Sequence, residues 1–368
     1  MKKAYSRFIV PFIKIAAFLL LPALITGTIS RFINPYQFWP AAFFSLAFPA
    51  IWVFTFISAL LLIRKKPWFL SLMIGVLVSA PLMLRHFTIP FFHQNKSAGD
   101  YMIMTYNVHG FSGIRGGKSS YERQALVHEF VNELDPAVVC MQEYPMKSRK
   151  HARYLDHLNK ELELANKHIS DFNTESKGTS YTFMTATKYP VKQRGTIFTM
   201  DPEICGIFTD IQFPEGIVRV YNIHLQSVKL IGEKRLLRPH RNPGAIKYFF
   251  TYLKGTTAKL RKAFPMRSYQ AWMIRQSINS CPYPVIICGD FNDTPASYSY
   301  NLLSEGMNDA AFNNGCGFNR TYSESIYPLR IDQILVDKRL TSGSYSRKKI
   351  YLSDHFPVVA GFRFNSAR

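Results

Sequence analysis

The stretch VIICGDFNDTP, Val285–Pro295, decides how the rest of the chain is read. Val285, Ile286, Ile287 and Cys288 form a short, largely β-branched apolar run, the pattern of a strand buried on both faces. The run stops at Gly289, and Asp290, Asn292 and Asp293 follow before Pro295 breaks the chain. Taken alone this fits a polar turn, because Gly, Asp and Asn are ordinary turn residues. A buried strand ending in carboxylates and a carboxamide also sets hard oxygen groups at the rim of a sheet. That is where sheet enzymes hold their reactive groups.

Other strand ends repeat the pattern. Tyr101–Val108 ends at Asn107, Ala137–Met141 at Gln142 and Glu143, and Val218–Ile223 at His224. Lys349–Ser353 leads to Asp354 and His355, and Arg330–Val336 reads as a strand with Asp332 inside it. A carboxylate framed by Ile331, Ile334 and Leu335 must be paired if buried, and a histidine is its natural partner. Tyr181–Thr187, Thr196–Thr199, Gly206–Gln212 and Val358–Phe364 read as further strands, and Tyr121–Leu134 and Arg267–Ser280 as helices.

Each polar group has a dull explanation by itself: a surface acid, a satisfied core histidine, a turn. Together they suit one chemistry. Asp, Glu and Asn oxygens without thiolates are ligands for Mg²⁺ or Mn²⁺, not a zinc site. An Asp–His pair supplies a base for an attacking water. A second histidine and an asparagine can donate to the charge that builds on a phosphate. There is no GxSxG, Walker loop or GxGxxG motif to compete with this reading.

The 368 residues carry a formal net charge of +21, which predicts attraction to polyanions: nucleic acid, an anionic lipid surface or a phosphorylated substrate. The five cysteines are scattered without zinc-like spacing, so buried free thiols are expected at Cys140 and Cys288, and no disulfide framework.

The apolar residues are concentrated before Asp100. Three runs, Ala16–Ile29, Phe38–Ile63 and Trp68–Leu84, are candidates to cross a bilayer, the last near the lower limit of about 17 residues. A cleaved signal peptide also starts this way, but no clear cleavage site follows the first run. Lys2, Lys3 and Arg7 precede the first span and Arg64, Lys65 and Lys66 fill the second loop, against Arg31 alone in the first. The positive-inside rule then predicts a multi-pass membrane protein whose remaining domain is extracytoplasmic. The expected division is an anchor at 1–92, a linker at 93–99 and one large domain at 100–368. Lys229–Phe264 sets ten basic residues against Glu233 alone. It reads as a solvated insertion, a nucleic acid contact or an amphipathic helix on the bilayer.

The ordered motifs carry a resemblance. TYNVHG (Thr105–Gly110), MQE (Met141–Glu143), YNIHL (Tyr221–Leu225), GDFND (Gly289–Asp293), RIDQIL (Arg330–Leu335) and SDHFPV (Ser353–Val358) resemble the endonuclease/exonuclease/phosphatase superfamily in content and order. TKYP (Thr187–Pro190) is similar to another of its strand-turn elements, and the likeness spans Tyr101–Phe364. It implies an α/β fold, a four-layer α/β/β/α sandwich behind three transmembrane helices, and a metal-dependent phosphoesterase using in-line water attack. Carried over by position, Glu143 is the main metal ligand with Asn107 in support, and Asp354 a second ligand or an acid behind it. Asp290 and Asn292 orient the nucleophile and the phosphate, and His224 stabilises the transition state. His355, paired with Asp332, is the general base or a phosphate contact. His109 departs from the abasic-site endonucleases, which carry an acid there, and shifts the likeness toward nuclease and sphingomyelinase-like branches.

Two functions are therefore expected to compete. One is a membrane-anchored phosphoesterase acting on nucleic acid or a phospholipid head group, without an obligate protein partner. The other is a catalytically inactive binding module of the same fold. An inactive copy should have lost Glu143, Asp290, Asn292, Asp332 or His355, and none is missing.

Overall fold

The computed structural model describes residues 10–89, 100–113, 117–146, 162–170, 174–176, 179–199, 204–228, 245–325 and 327–365. The linker expected at 93–99 lies outside them, as do Lys229, Lys234, Arg235, Arg238 and Arg241 of the basic segment. Three apolar helices come first: α1 (Val10–Ile29), α2 (Ala41–Leu61) and α3 (Lys66–Leu84). All three are long and apolar enough to cross a membrane. Pro22, Pro49 and Pro81 sit inside them, as membrane helices tolerate.

Two sheets follow. One contains β1 (Tyr101–Asn107), β2 (Val138–Met146), β3 (Asn166–Ile169), β4 (Thr174–Ser176) and β5 (Thr179–Thr187). The other contains β6 (Val191–Phe198), β7 (Ile204–Phe213), β8 (Gly216–His224), β9 (Val285–Asp290), β10 (Met307–Asp309) and β11 (Asp332–Asp337). The chain then returns to the first sheet with β12 (Leu340–Arg347) and β13 (Val358–Phe364). Their orders are β12-β13-β1-β2-β5-β3, with β4 also on β5, and β10-β11-β9-β8-β7-β6.

The two-residue period of a strand sorts side chains into layers. Ile103, Val138, Cys140 and Ala360 face inward and meet Val220, Ile286, Cys288 and Ile334 of the second sheet. Their neighbours Met104, Val139 and Met141 face outward against Val127 and Val131 of α4 (Ser120–Leu134). On the far side, Tyr221, Ile287 and Leu335 pack on Ala271 and Ile274 of α5 (Ala245–Asn279) and Leu303 of α6 (Tyr298–Leu303). Helix, sheet, sheet, helix is the expected sandwich. A capping box starts α4, with Ser119 Oγ accepting from Glu122 N and the Glu122 carboxylate from Ser119 N.

Several elements depart from the sequence reading. Strand β6 begins at Val191, well before Thr196, and β12 carries no apolar alternation; β6 is an edge strand rich in polar residues, and so is β12. The amphipathic helix and Arg267–Ser280 are one helix, α5, running through Pro265. Asp332 opens β11 instead of lying inside it, and is antiparallel to Asp290 in register. All five cysteines are free.

The apolar helices and the sandwich share an interior. Ala296, in the loop after β9, packs with Leu24, Phe48, Val76, Leu82 and Met83 of the three helices. Ala42 and Phe43 of α2 pack with Leu260 and Phe264 of α5. Arg330 Nη2 donates to the Arg85 carbonyl at 2.9 Å, and Thr88 and Gly317 exchange backbone hydrogen bonds of 3.0 and 2.9 Å.

A polar bridge joins the two sheets just behind their rim. Gln142 Nε2 donates to Asn222 Oδ1 at 2.7 Å and Thr105 Oγ1 at 3.0 Å. Asn222 Nδ2 in turn donates to the carbonyls of Met141 at 3.1 Å and Met184 at 3.0 Å. Asn222→Ala strands those buried groups without water and is expected to destabilise the chain by about 2 kcal/mol or more. Thermal unfolding of the purified full chain reads the loss, and an unchanged Tm contradicts it.

Candidate active site

The inward-facing series ends, on neighbouring strands, in the polar residues the sequence singled out. Strands β8 and β9 are parallel with His224 beside Asp290, and β9 and β11 are antiparallel with Asp290 beside Asp332. His224, Asp290 and Asp332 therefore stand side by side on one rung. Asn107 ends the inward series of β1 on the opposing sheet, next to Gln142 of β2. Glu143 should point outward by parity. It adopts φ 50° at an irregularity between Met141 and Tyr144, and the bulge turns its carboxylate into the site. Asn292 and His109 also hold positive φ, 49° and 46°. Such strained non-glycine backbone collects where a site requires a fixed side chain.

Gly289 explains the start of GDFND. Its φ is +149°, and a Cβ there would lie 2.0 Å from the Ile223 carbonyl oxygen. No other residue lets β8 and β9 approach closely enough to set His224 beside Asp290.

The side chains converge. Asn107 Nδ2 lies 3.2 Å from Glu143 Oε1 and 3.0 Å from Asp290 Oδ2, while its Oδ1 accepts from His109 N at 3.0 Å. His224 Nε2 lies 3.6 Å from Glu143 Oε1 and 3.5 Å from Asp290 Oδ2, and is buried without a hydrogen-bond partner. His355 Nδ1 pairs with Asp332 Oδ2 at 2.8 Å, which leaves Nε2 facing Asp290 Oδ2 at 3.7 Å. Asn292 is locked by its N–H to Asp290 Oδ1 at 2.8 Å and its Nδ2 to the Leu225 carbonyl at 2.9 Å. Asp354 lies 3.8 Å from His109 Nδ1, and Ser353 Oγ fixes it at 3.2 Å.

Charge follows from this packing. Burial raises the Asp290 carboxyl above its usual range, and Asp332 adds to that against the pull of His355 and His224. Burial opposes charge on His355, but Asp332 and Asp290 outweigh it and hold the ring well above an ordinary histidine. Burial likewise works against Glu143, yet His109, His224 and Asn107 keep it ionised far below the usual carboxylate range. The hydrogen bond to Glu143 is the main reason His109 is raised.

A divalent cation fits the donor set. Glu143, Asp290 and Asp354 supply oxygens, there is no thiolate in the cavity lining among the described residues, and His224 Nε2 stands unpartnered beside two carboxylate oxygens. Asp290, Asp332 and His355 also lie within 4.8 Å of one another. Because His355 Nδ1 is already bonded to Asp332, that trio is better described as a hydrogen-bonded pair beside Asp290 than as a cage.

Two contributors escaped the sequence reading. His109 was noted only as a departure, yet its ring sits 3.3 Å from Glu143 Oε2. Arg267, lost among the basic residues, is 3% exposed and lines the cavity, with Nε donating to the Gln226 carbonyl at 2.7 Å. A signal existed: Leu260, Phe264, Ala271 and Ile274 form a helical stripe, and Arg267 is the charge inside it.

An oxygen-rich pocket at the rim of two stacked sheets, with a buried Asp–His pair, is the kind of site used on phosphate esters. Residues 104–355 match the model of the Endonuclease/Exonuclease/phosphatase family, and the chain belongs to that family. A domain of unknown function matches residues 8–86. No curated protein matches the chain significantly. Among solved structures, an endonuclease/exonuclease/phosphatase from Beutenbergia cavernae aligns with TM-score 0.50 and 15% identity, over 73% of this chain and 72% of that one. A family protein from Leptotrichia buccalis aligns with TM-score 0.51 and 16% identity, over 72% of this chain and 100% of its own. At these identities the likeness is one of fold.

Proposed function

We propose that the protein is a membrane-anchored phosphoesterase, dependent on Mg²⁺ or Mn²⁺, that hydrolyses a phosphodiester or phosphomonoester by in-line attack of water. The observation that carries this reading is the His355–Asp332 pair at 2.8 Å, whose free Nε2 faces the Asp290 carboxylate. Asp332 holds the ring in one orientation, so at a pH above the raised range of His355 Nε2 is the atom that takes the proton of an attacking water. Asp290 and Asn292 position that water and the phosphate. His224 and Arg267 are placed to donate to phosphoryl oxygens as charge builds on them. Glu143, with Asp354 and the support of Asn107, is the group that would hold the cation. When bound, the cation supplies positive charge against the phosphate oxygens.

Against the inactive-module reading, Glu143, Asp290, Asn292 and His355 line one cavity and Asp332 pairs with His355 behind it. Chelation tests the proposal. EDTA is expected to silence hydrolysis of a generic phosphodiester by the full chain, and Mg²⁺ or Mn²⁺ to restore it; activity that survives chelation defeats the metal assignment. The flanking basic residues support an extracytoplasmic sandwich. A reporter fused after Arg368 should then be active outside the cytoplasm, and cytoplasmic activity reverses the topology.

A further inference from the structure

The cavity that holds these groups is not made by the sandwich alone. It measures about 550 Å³, and Leu46 of α2 lines it together with Leu260 of α5, Val228, Leu329 and Ile331. Leu46 lies in the second turn of a 21-residue helix without a charged side chain. Farther along, the same helix exposes Phe54, Ile57 and Leu60, the kind of face a bilayer covers. One side of the cavity thus carries Glu143, Asp290 and His355, and the other belongs to an apolar helix continuous with the candidate membrane span.

The charges are distributed to match. A nucleic acid presents phosphates on both flanks of the bond to be cut and is held by cations along that track. Among the described lining residues the one lysine or arginine is Arg267, deep inside. Lys254, Arg261 and Lys262 stand outside, round a separate hollow with Trp39, whose ring lies 5.0 Å from the Arg261 guanidinium. A tryptophan and basic residues at the end of an apolar helix are the usual furniture of a lipid headgroup layer.

We propose that the substrate is a phosphate ester carried by a bilayer lipid and that its chains lie along the apolar cavity wall that Leu46 of α2 and Leu260 of α5 form together. Leu46, Val228 and Leu260 hold the first carbons of its acyl chains, and Arg267 meets its phosphate. This rests on the phosphoesterase reading and names the substrate class. Water forms the new bond to phosphorus and gives a proton to His355. The P–O bond to the departing alcohol breaks, and that oxygen takes a proton back; nothing is oxidised or reduced.

The test uses the full chain in phosphatidylcholine nanodiscs with Mg²⁺ and phosphatidylglycerol bearing a photoactivatable acyl chain. Illumination should label Leu260 and the Leu329–Ile331 segment as well as outward residues such as Phe54 and Leu77. Turnover of phosphatidylglycerol should exceed that of deacylated glycerophosphoglycerol, and of a duplex oligonucleotide, by about tenfold or more, because the chains supply binding energy remote from the phosphate. Leu260→Glu should lower both the cavity labelling and that ratio. Labelling confined to outward faces, with the soluble ester or oligonucleotide cut at least as fast, overturns the lipid proposal and leaves the phosphoesterase intact. Cavity labelling without hydrolysis of any ester overturns the phosphoesterase and leaves the lipid site.

Discussion

His355→Ala is expected to lower kcat for a phosphodiester by about 10³-fold, within the range that general bases contribute. KM should move little, because the ring touches the attacking water more than the bound ester. The fold should survive at a lower Tm, since His355 stands at the cavity wall but its loss leaves the buried Asp332 carboxylate without the ring it bonds at 2.8 Å. Asp332→Asn tests the same pair from behind. It keeps the shape but replaces the charged acceptor of Nδ1–H by a neutral amide that can equally donate, so kcat should fall while thermal stability stays close to that of the parent. Near-normal turnover in purified His355→Ala removes the base from the mechanism altogether.

Glu143→Ala is expected to abolish stabilisation by Mg²⁺ together with hydrolysis. A cation at 100 times its Kd stabilises the folded chain by about 2.7 kcal/mol, visible as a rise in Tm. The variant should show no such rise. Its metal-free stability should fall below that of the parent, because the folded site holds the Glu143 carboxylate ionised far below its usual range, while alanine keeps the strained backbone at φ 50°. The change in Tm on adding Mg²⁺, compared within each protein, separates loss of a ligand from damage to the fold. A variant that still responds to Mg²⁺ moves the ligand role away from Glu143.

Much of this site is legible in the sequence itself. Asn107, His224 and Asp290 were legible because each closes an apolar run, and strand parity then carries all three to one rim. That Asp332 needs a histidine was legible from the cost of burying a lone carboxylate, and the family resemblance named His355 as that partner. What escaped detection depends on long-range packing. Edge strands β6 and β12 carry no alternation, since solvent on one side relaxes the demand for apolar residues. The inward turn of Glu143 depends on a bulge set by pairing with β5, which no local pattern encodes. Arg267 was concealed by its basic neighbours, though its place in an apolar stripe marked it. The docking of α1, α2 and α3 on the sandwich had no sequence signature at all, because apolar spans look alike whether lipid or protein covers them.

That docking bears on how the protein must be handled. Ala296 is 0% exposed, Phe264 1% and Leu260 9%, all with partners from the apolar helices. Severing the chain near residue 99 would turn this seam out to water and take the Arg85 carbonyl away from Arg330. The truncated piece would be adhesive along the very loop that carries Asp290 and Asn292, prone to self-association and slack where it most needs to be rigid. The three helices share buried contacts with the sandwich, and an assay for the proposed hydrolysis should therefore keep the chain intact.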